Sequence, residues 1–182
     1  MRKLVGEELR ASERRFRAVF EQAAVGVAIL ETPTGRFVSV NQRYCAILGM
    51  TPGELTATTF MAITHRDDLR EDLEQMEKMQ QGIVPNFTME KRLLRPDGGA
   101  VWVNLTVSPM WSPGETPNFH VAVIVDITRR KQAEEEIRQF NQTLEQRVAN
   151  RTRSCRRPMT RCAKAARNWH RPSPSRTSAV TY

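Results

Sequence analysis

The hydrophobic pattern changes its period twice along the chain. From about Leu4 to Ala24, apolar Val5, Leu9, Phe16, Val19 and Phe20 fall at helical spacing. Glu7, Glu8, Glu13, Arg14 and Arg17 occupy much of the other face, so residues 1–24 are expected to form an amphipathic helix. Residues 25–128 show short runs and alternation instead. Val25–Leu30 and Phe37–Val40 flank the turn Pro33-Thr34-Gly35 and predict a hairpin. Asn41 stands where it can cap a helix over Gln42–Leu48 that Gly49 closes, and Thr51 followed by Pro52 starts another short one. A longer helix is expected over Leu69–Gln81, stopped by Gly82.

Three strands are predicted next. Phe87–Leu94 places Met89, Lys91 and Leu93 on one face, and Pro96-Asp97-Gly98-Gly99 turns the chain. Val101–Met110 aligns Val101, Val103, Leu105 and Val107, and Pro113-Gly114-Glu115 turns it again into Phe119–Ile127. An α+β domain follows, in which helices bury one face of an antiparallel sheet. In 129–152 the period becomes helical again. Ala133, Ile137, Phe140, Leu144 and Val148 step by four, three, four and four, a coiled-coil-like seam too short to stand alone and expected to pair with a partner helix or to continue into a longer one.

Charge adds a fourth segment. The net charge is +8, from 28 Lys and Arg against 20 Asp and Glu. Eight of the basic residues (Arg153, Arg156, Arg157, Arg161, Lys164, Arg167, Arg171 and Arg176) lie in 153–182, which contain no acid, so residues 1–152 are neutral overall. The basic balance belongs to that tail, and nucleic acid is not expected as a partner of the folded body. The tail is read as disordered, and two explanations are open for it. It is a basic arm that binds nucleic acid or an acidic membrane through charge, or it is the product of a shifted reading frame. The second is preferred on its Arg, Pro, Ser and Ala composition. Ala23–Leu30 and Val121–Val125, the longest apolar stretches, fall far short of the roughly 20 residues that span a bilayer. No apolar signal segment follows Met1-Arg2-Lys3, and a cytoplasmic location is expected. Cys45, Cys155 and Cys162 form no CxxC pair and predict no disulfide framework.

Several local words, in this order and spacing, resemble a PAS domain of bacterial sensor histidine kinases. They are Phe16-Arg17-Ala18-Val19-Phe20-Glu21-Gln22-Ala23, Gly26-Val27-Ala28, Asn41-Gln42-Arg43-Tyr44, Gly49-Met50-Thr51-Pro52-Gly53-Glu54-Leu55, Ile63-Thr64-His65 before Asp67-Asp68, Arg95-Pro96-Asp97-Gly98-Gly99 ahead of Val101-Trp102-Val103, and Asp126-Ile127-Thr128. The resemblance covers roughly Ser12 to Arg151. It implies a PAS fold with a five-stranded antiparallel sheet, short helices on one face, and amphipathic helices at both ends. It also implies a sensory and dimerisation module at 25–128, a signalling helix at 129–152, and a homodimer paired through the flanking helices. Ligand or partner binding would be relayed to an output domain, a histidine kinase or, as the alternative, a diguanylate cyclase. A stand-alone adaptor with a nucleic-acid-binding tail is a further alternative. Asp126 and Thr128 are the candidate relay residues. Asp126 is expected to hold a basic partner near the sheet edge and the Thr128 hydroxyl to cap the outgoing helix; the plainer reading makes both simply helix-start residues.

No catalytic or metal-binding set emerges. His65 lies in a helix-entry word and is read as structural rather than as a haem ligand, and His120, at the start of the last strand, is expected to be exposed. The cysteine of flavin photosensors is missing from Ala57-Thr58-Thr59-Phe60, and Cys45 lies one helix too early, as a small buried residue. The cofactor is left open, with neither haem nor flavin indicated. Trp102 and Trp111 are candidates to stack on a planar ligand, though core packing is the commoner role. No phosphate-binding glycine loop is present, and catalysis within the chain is not expected.

Overall fold

The computed structural model describes residues 2–155, and the tail discussed above lies outside them from residue 156 onward. The alternating segments form one antiparallel sheet from β1 (Gly26–Glu31), β2 (Phe37–Val40), β3 (Phe87–Leu94), β4 (Ala100–Pro109) and β5 (Phe119–Asp126). Their spatial order is β2-β1-β5-β4-β3. The β1–β2 hairpin and the β3–β4–β5 meander therefore join along β1 and β5, and the last strand in sequence becomes the central one. Ala28, Leu30, Val101, Val103, Leu105, Val107, Ala122 and Ile124 all point to one face and are buried. The alternation of period two was the signal for this side.

Four helices cover that face: α2 (Gln42–Leu48), α3 (Pro52–Thr56), α4 (Phe60–Ile63) and α5 (Arg66–Gln80). Their ends follow local chemistry. Asn41 caps α2, and Gly49 ends it in the left-handed region, at φ 68°. Thr51 and Glu54 form a reciprocal capping box at α3. α5 begins at Arg66, three residues before the start expected from apolar spacing, because the His65 ring accepts the Asp67 N–H and caps it. The long helices α1 (Arg2–Gln22) and α6 (Thr128–Cys155) stand at the two ends. The chain divides into two compact units within α6, between Gln132 and Ala133.

Asn41 is fully buried and does more than cap. Its Oδ1 accepts the N–H groups of Val27 and Tyr44 at 2.9 Å each, and its Nδ2 donates to the carbonyls of Phe20 at 2.9 Å and Val25 at 3.0 Å. One side chain thus joins the end of α1, the start of β1 and the start of α2. Gly26 sits at the same junction, where a Cβ would lie 2.6 Å from Ile124 Cγ1 and 3.0 Å from Tyr44 Cα, so only glycine lets these backbones meet.

Both rims of the sheet are partly covered. On β3, the Arg92 N–H is taken by Asp68 Oδ2 at 2.8 Å, the Arg92 carbonyl accepts the His65 N–H at 3.0 Å, and Leu93 bridges to Thr64. On the far side β2 is four residues long, and Arg36, just before it, bridges to Thr59.

Candidate functional site: an interior ion pair and the root of the outgoing helix

On α5, Asp72, Met76 and Met79 recur at helical spacing and are the residues of that helix buried against the sheet. Opposite them the inward positions of β3 are Met89, Lys91 and Leu93, so a lysine occupies the apolar face. A buried ammonium needs a counter-charge. Lys91 Nζ contacts Asp72 Oδ2 at 2.5 Å and donates to Thr64 Oγ1 at 3.1 Å, and the two ionic side chains are 3% and 2% exposed. Burial pushes the lysine pKa below its ordinary value, and the Asp72 carboxylate opposes that shift. The Phe60 ring centre lies 5.6 Å from the same nitrogen.

Tyr44, Phe60, Asp72, Met76, Lys91 and His120 help enclose a cavity of about 20 Å³ beside the pair. That is room for about one water. The Tyr44 phenol is held well above its ordinary pKa, mainly by burial and secondarily by the Asp72 charge. His120 is 2% exposed, which corrects the expectation of an exposed ring. It is the second residue of β5, but β5 is the central strand, so its inward positions are covered by helices. His120 Nδ1 lies 3.0 Å from Thr32 Oγ1. Burial, aided by the Lys91 cation, lowers its pKa to about 4 and keeps it neutral. Among the described residues no group of His, Cys, Asp and Glu is placed to hold a metal ion. His65 serves as the α5 cap, and Cys45 is buried in α2 with its thiol pKa raised by that burial.

The second feature is the junction of β5 with α6. Asp126 Oδ1 accepts the Thr128 N–H at 2.8 Å, while Thr128 Oγ1 accepts the Trp102 N–H at 3.2 Å and the Ile127 N–H donates to the Trp102 carbonyl at 2.9 Å. The carboxylate is therefore the group that accepts the N–H at the helix start, and the Thr128 hydroxyl ties that start to β4. The basic groups of the first turn close on Glu90 of β3: Lys131 Nζ lies 2.6 Å from Glu90 Oε2, and Arg130 also pairs with Glu90. These hydrogen bonds, Lys131 first, lower the Glu90 pKa. The Trp102 ring, on the outer face of β4, has the Arg92 guanidinium carbon 5.3 Å from its centre and Lys131 Nζ 5.1 Å away, and so faces cations. Trp111 is partly buried against the core. Sequence reasoning missed Glu90, Arg92 and the Lys91–Asp72 pair; the one local sign was a lysine in the apolar phase of β3.

The sequence model of the PAS domain family matches residues 24–129. The chain belongs to the PAS family. A relative named probable diguanylate cyclase DgcE, from Escherichia coli K12, is 36% identical over 137 residues, which is 75% of this chain and 12% of that protein. The sensor histidine kinase TmoS of Ectopseudomonas mendocina is 29% identical over 138 residues, 76% of this chain and 14% of the kinase. This PAS chain thus spans a small part of the length of the curated relatives it matches. Among solved structures, the PAS domain of an HTR-like protein from Haloarcula marismortui superposes with a TM-score of 0.57 at 23% identity, covering 69% of this chain and 99% of that one. A sensory box histidine kinase/response regulator from Burkholderia thailandensis gives 0.58 at 22%, covering 72% and 98%. This is a PAS sensory domain of the kind found in histidine kinases and diguanylate cyclases, and the five-stranded sheet with its covering helices is the PAS fold. No helix among the described residues is long and apolar enough to cross a membrane.

Proposed function

We propose that this chain is the input module of a cytoplasmic two-component signalling protein, which dimerises through its flanking helices and relays ligand or partner binding to a histidine kinase output domain. Asp126 and Thr128 act as the relay residues, because they fix the first turn of α6 to the sheet. The observation that carries this reading is the apolar stripe on α6. Ile137, Phe140, Leu144 and Val148 are 62%, 65%, 41% and 65% exposed, on a helix that leaves the sheet through a hydrogen-bonded root. Ile137, Phe140 and Leu144, exposed on one stripe, favour a partner helix with the same seam. The relay is then a shift between two packings of the paired helices, biased by what the domain binds.

Sedimentation equilibrium of the whole chain tests the pairing. A dimer is expected, weakened by Ile137→Asp and Leu144→Asp, and a strict monomer up to the solubility limit would refute it.

A diguanylate cyclase output is the second reading, favoured by the 36% identity to the cyclase relative against 29% to the kinase. Reading the source DNA beyond the Thr152 codon in all three frames separates the two. A phosphoacceptor histidine helix supports the kinase and cyclase sequence the other. A frame with neither leaves a stand-alone adaptor with a basic tail.

A further inference from the structure

Lys91 and Arg92 are adjacent on β3 and grip α5 from opposite faces of the strand. Lys91 pairs inside with Asp72, while outside Arg92 forks onto Asp68, Nε to Oδ2 at 2.9 Å and Nη2 to Oδ1 at 2.8 Å. Arg92 Nη2 also reaches Asp67 Oδ2 at 3.2 Å. Asp68 and Asp72 are one helical turn apart, so a displacement of α5 at the cavity wall moves the carboxylate that holds Arg92.

The hydrogen bonds of the Arg92 guanidinium described above go to α5. Arg92 stands directly across from Trp102 in the β3–β4 register, and its guanidinium lies against the indole ring. The same ring meets Lys131 of α6, and the Trp102 backbone holds both Ile127 and Thr128. Both cations lie within the roughly 6 Å over which a ring quadrupole attracts a charge. A cation of β3 and a cation of α6 are thus linked through one indole.

We propose that Trp102 is a positioning residue that couples α5 to the first turn of α6, along the line Asp68, Arg92, Trp102, Lys131. The inference rests on the relay reading above and supplies its route. When Arg92 leaves the ring, the indole loses the contact that orients it against Lys131, and the root of α6 loosens. Glu90 is the parallel clasp on Lys131 and Arg130 and does not involve α5, so the two fixings separate experimentally.

The test is amide hydrogen exchange on the full chain, read at Ile127 and Lys131, whose N–H groups bond to the Trp102 and Ile127 carbonyls. Asp68→Asn is made in the native sequence and again in a Trp102→Leu background, with β1 amides as the internal reference. Relative to β1, Asp68→Asn is expected to speed exchange at these two amides several-fold in the native sequence, and by less than twofold once Trp102 is leucine. Trp102→Phe, which keeps an aromatic face, should restore the response.

An equal acceleration in both backgrounds would mean that coupling bypasses the ring, and it overturns the proposal. So does no acceleration in the native sequence, or a matching acceleration at β1, which would report only a weakened fold. None of these results requires an output domain, so the relay reading survives the failure of this route. A monomeric chain with intact exchange coupling would sink the paired-helix reading and leave the route standing.

Discussion

Replacing Asp72 by asparagine gives the sharpest test of the interior. The substitution keeps the side chain's shape and an oxygen for Lys91 but removes the charge. It leaves an ammonium that is 3% exposed without a counter-ion. Breaking a buried pair in this way costs about 3–5 kcal/mol. A separate argument sets a ceiling. The lysine can always shed its proton, which at pH 7 costs about 4–5 kcal/mol from an ordinary pKa near 10.4. The two figures agree, and they fix a sign. In the variant the folded state holds Lys91 neutral while the unfolded chain still binds its proton, so stability rises with pH until about 10.4. Urea unfolding of the full chain, followed by circular dichroism at pH 6, 7.5 and 9, should show the defect shrinking toward alkaline pH. Lys91→Met strands the carboxylate instead and should cost a comparable amount at pH 7.5. The double variant Asp72→Asn/Lys91→Met strands neither group and should lie within about 1–2 kcal/mol of the native protein, since removing both partners of a buried pair is often near neutral. A single-variant cost below about 1 kcal/mol, a defect that grows with pH in Asp72→Asn, or a double variant equal to the sum of the singles would refute the reasoning.

Asn41→Ala removes a cap and unpairs a buried carbonyl of Phe20 and partly buried backbone groups of Val25 and Val27. A loss of about 2–4 kcal/mol in urea is expected, and a loss under about 1 kcal/mol would contradict the accounting. Gly26→Ala drives a methyl against Ile124 and the Tyr44 backbone and should cost about 1–3 kcal/mol in the same assay. His120 should titrate by NMR near pH 4 rather than 6.5. Because only the unfolded chain takes up that proton between those values, stability should fall as pH drops from 6.5 toward 4; a midpoint at 6.5 would show that the ring is not buried.

Much of the fold was legible because its signals are local. Strand alternation, Asn41 before α2, the Thr51–Pro52 start and the glycine stops all act over a few residues, and the five strands, α2 and α3 formed where their patterns lay, whereas α4 was not expected and α5 began three residues early. What was hidden depends on neighbours far apart in sequence. His120 was misjudged because its burial follows from the central place of β5, which no local pattern encodes. Lys91 stood openly in the apolar phase of β3, yet its partner is 19 residues upstream on a helix. Trp102 presented a flat ring to the reader, and only the β3–β4 register and the turn into α6 bring cations to it. At the α6 root, which of Asp126 and Thr128 meets the helix and which meets β4 depends on the angle at which the chain leaves the sheet.

The partly covered rims have a consequence for how this domain meets others. An extended peptide gains affinity from a sheet by pairing its backbone with an open rim, and backbone pairing is indifferent to sequence. Here the C-terminal half of the β3 rim is already taken by Asp68, His65 and Thr64, and β2 offers only four residues. Strand recruitment, wanted or not, has little to grip. Recognition then falls to side chains on the faces and helices, where one substitution can retune a partner and copies crowded together resist zipping into open-ended ribbons.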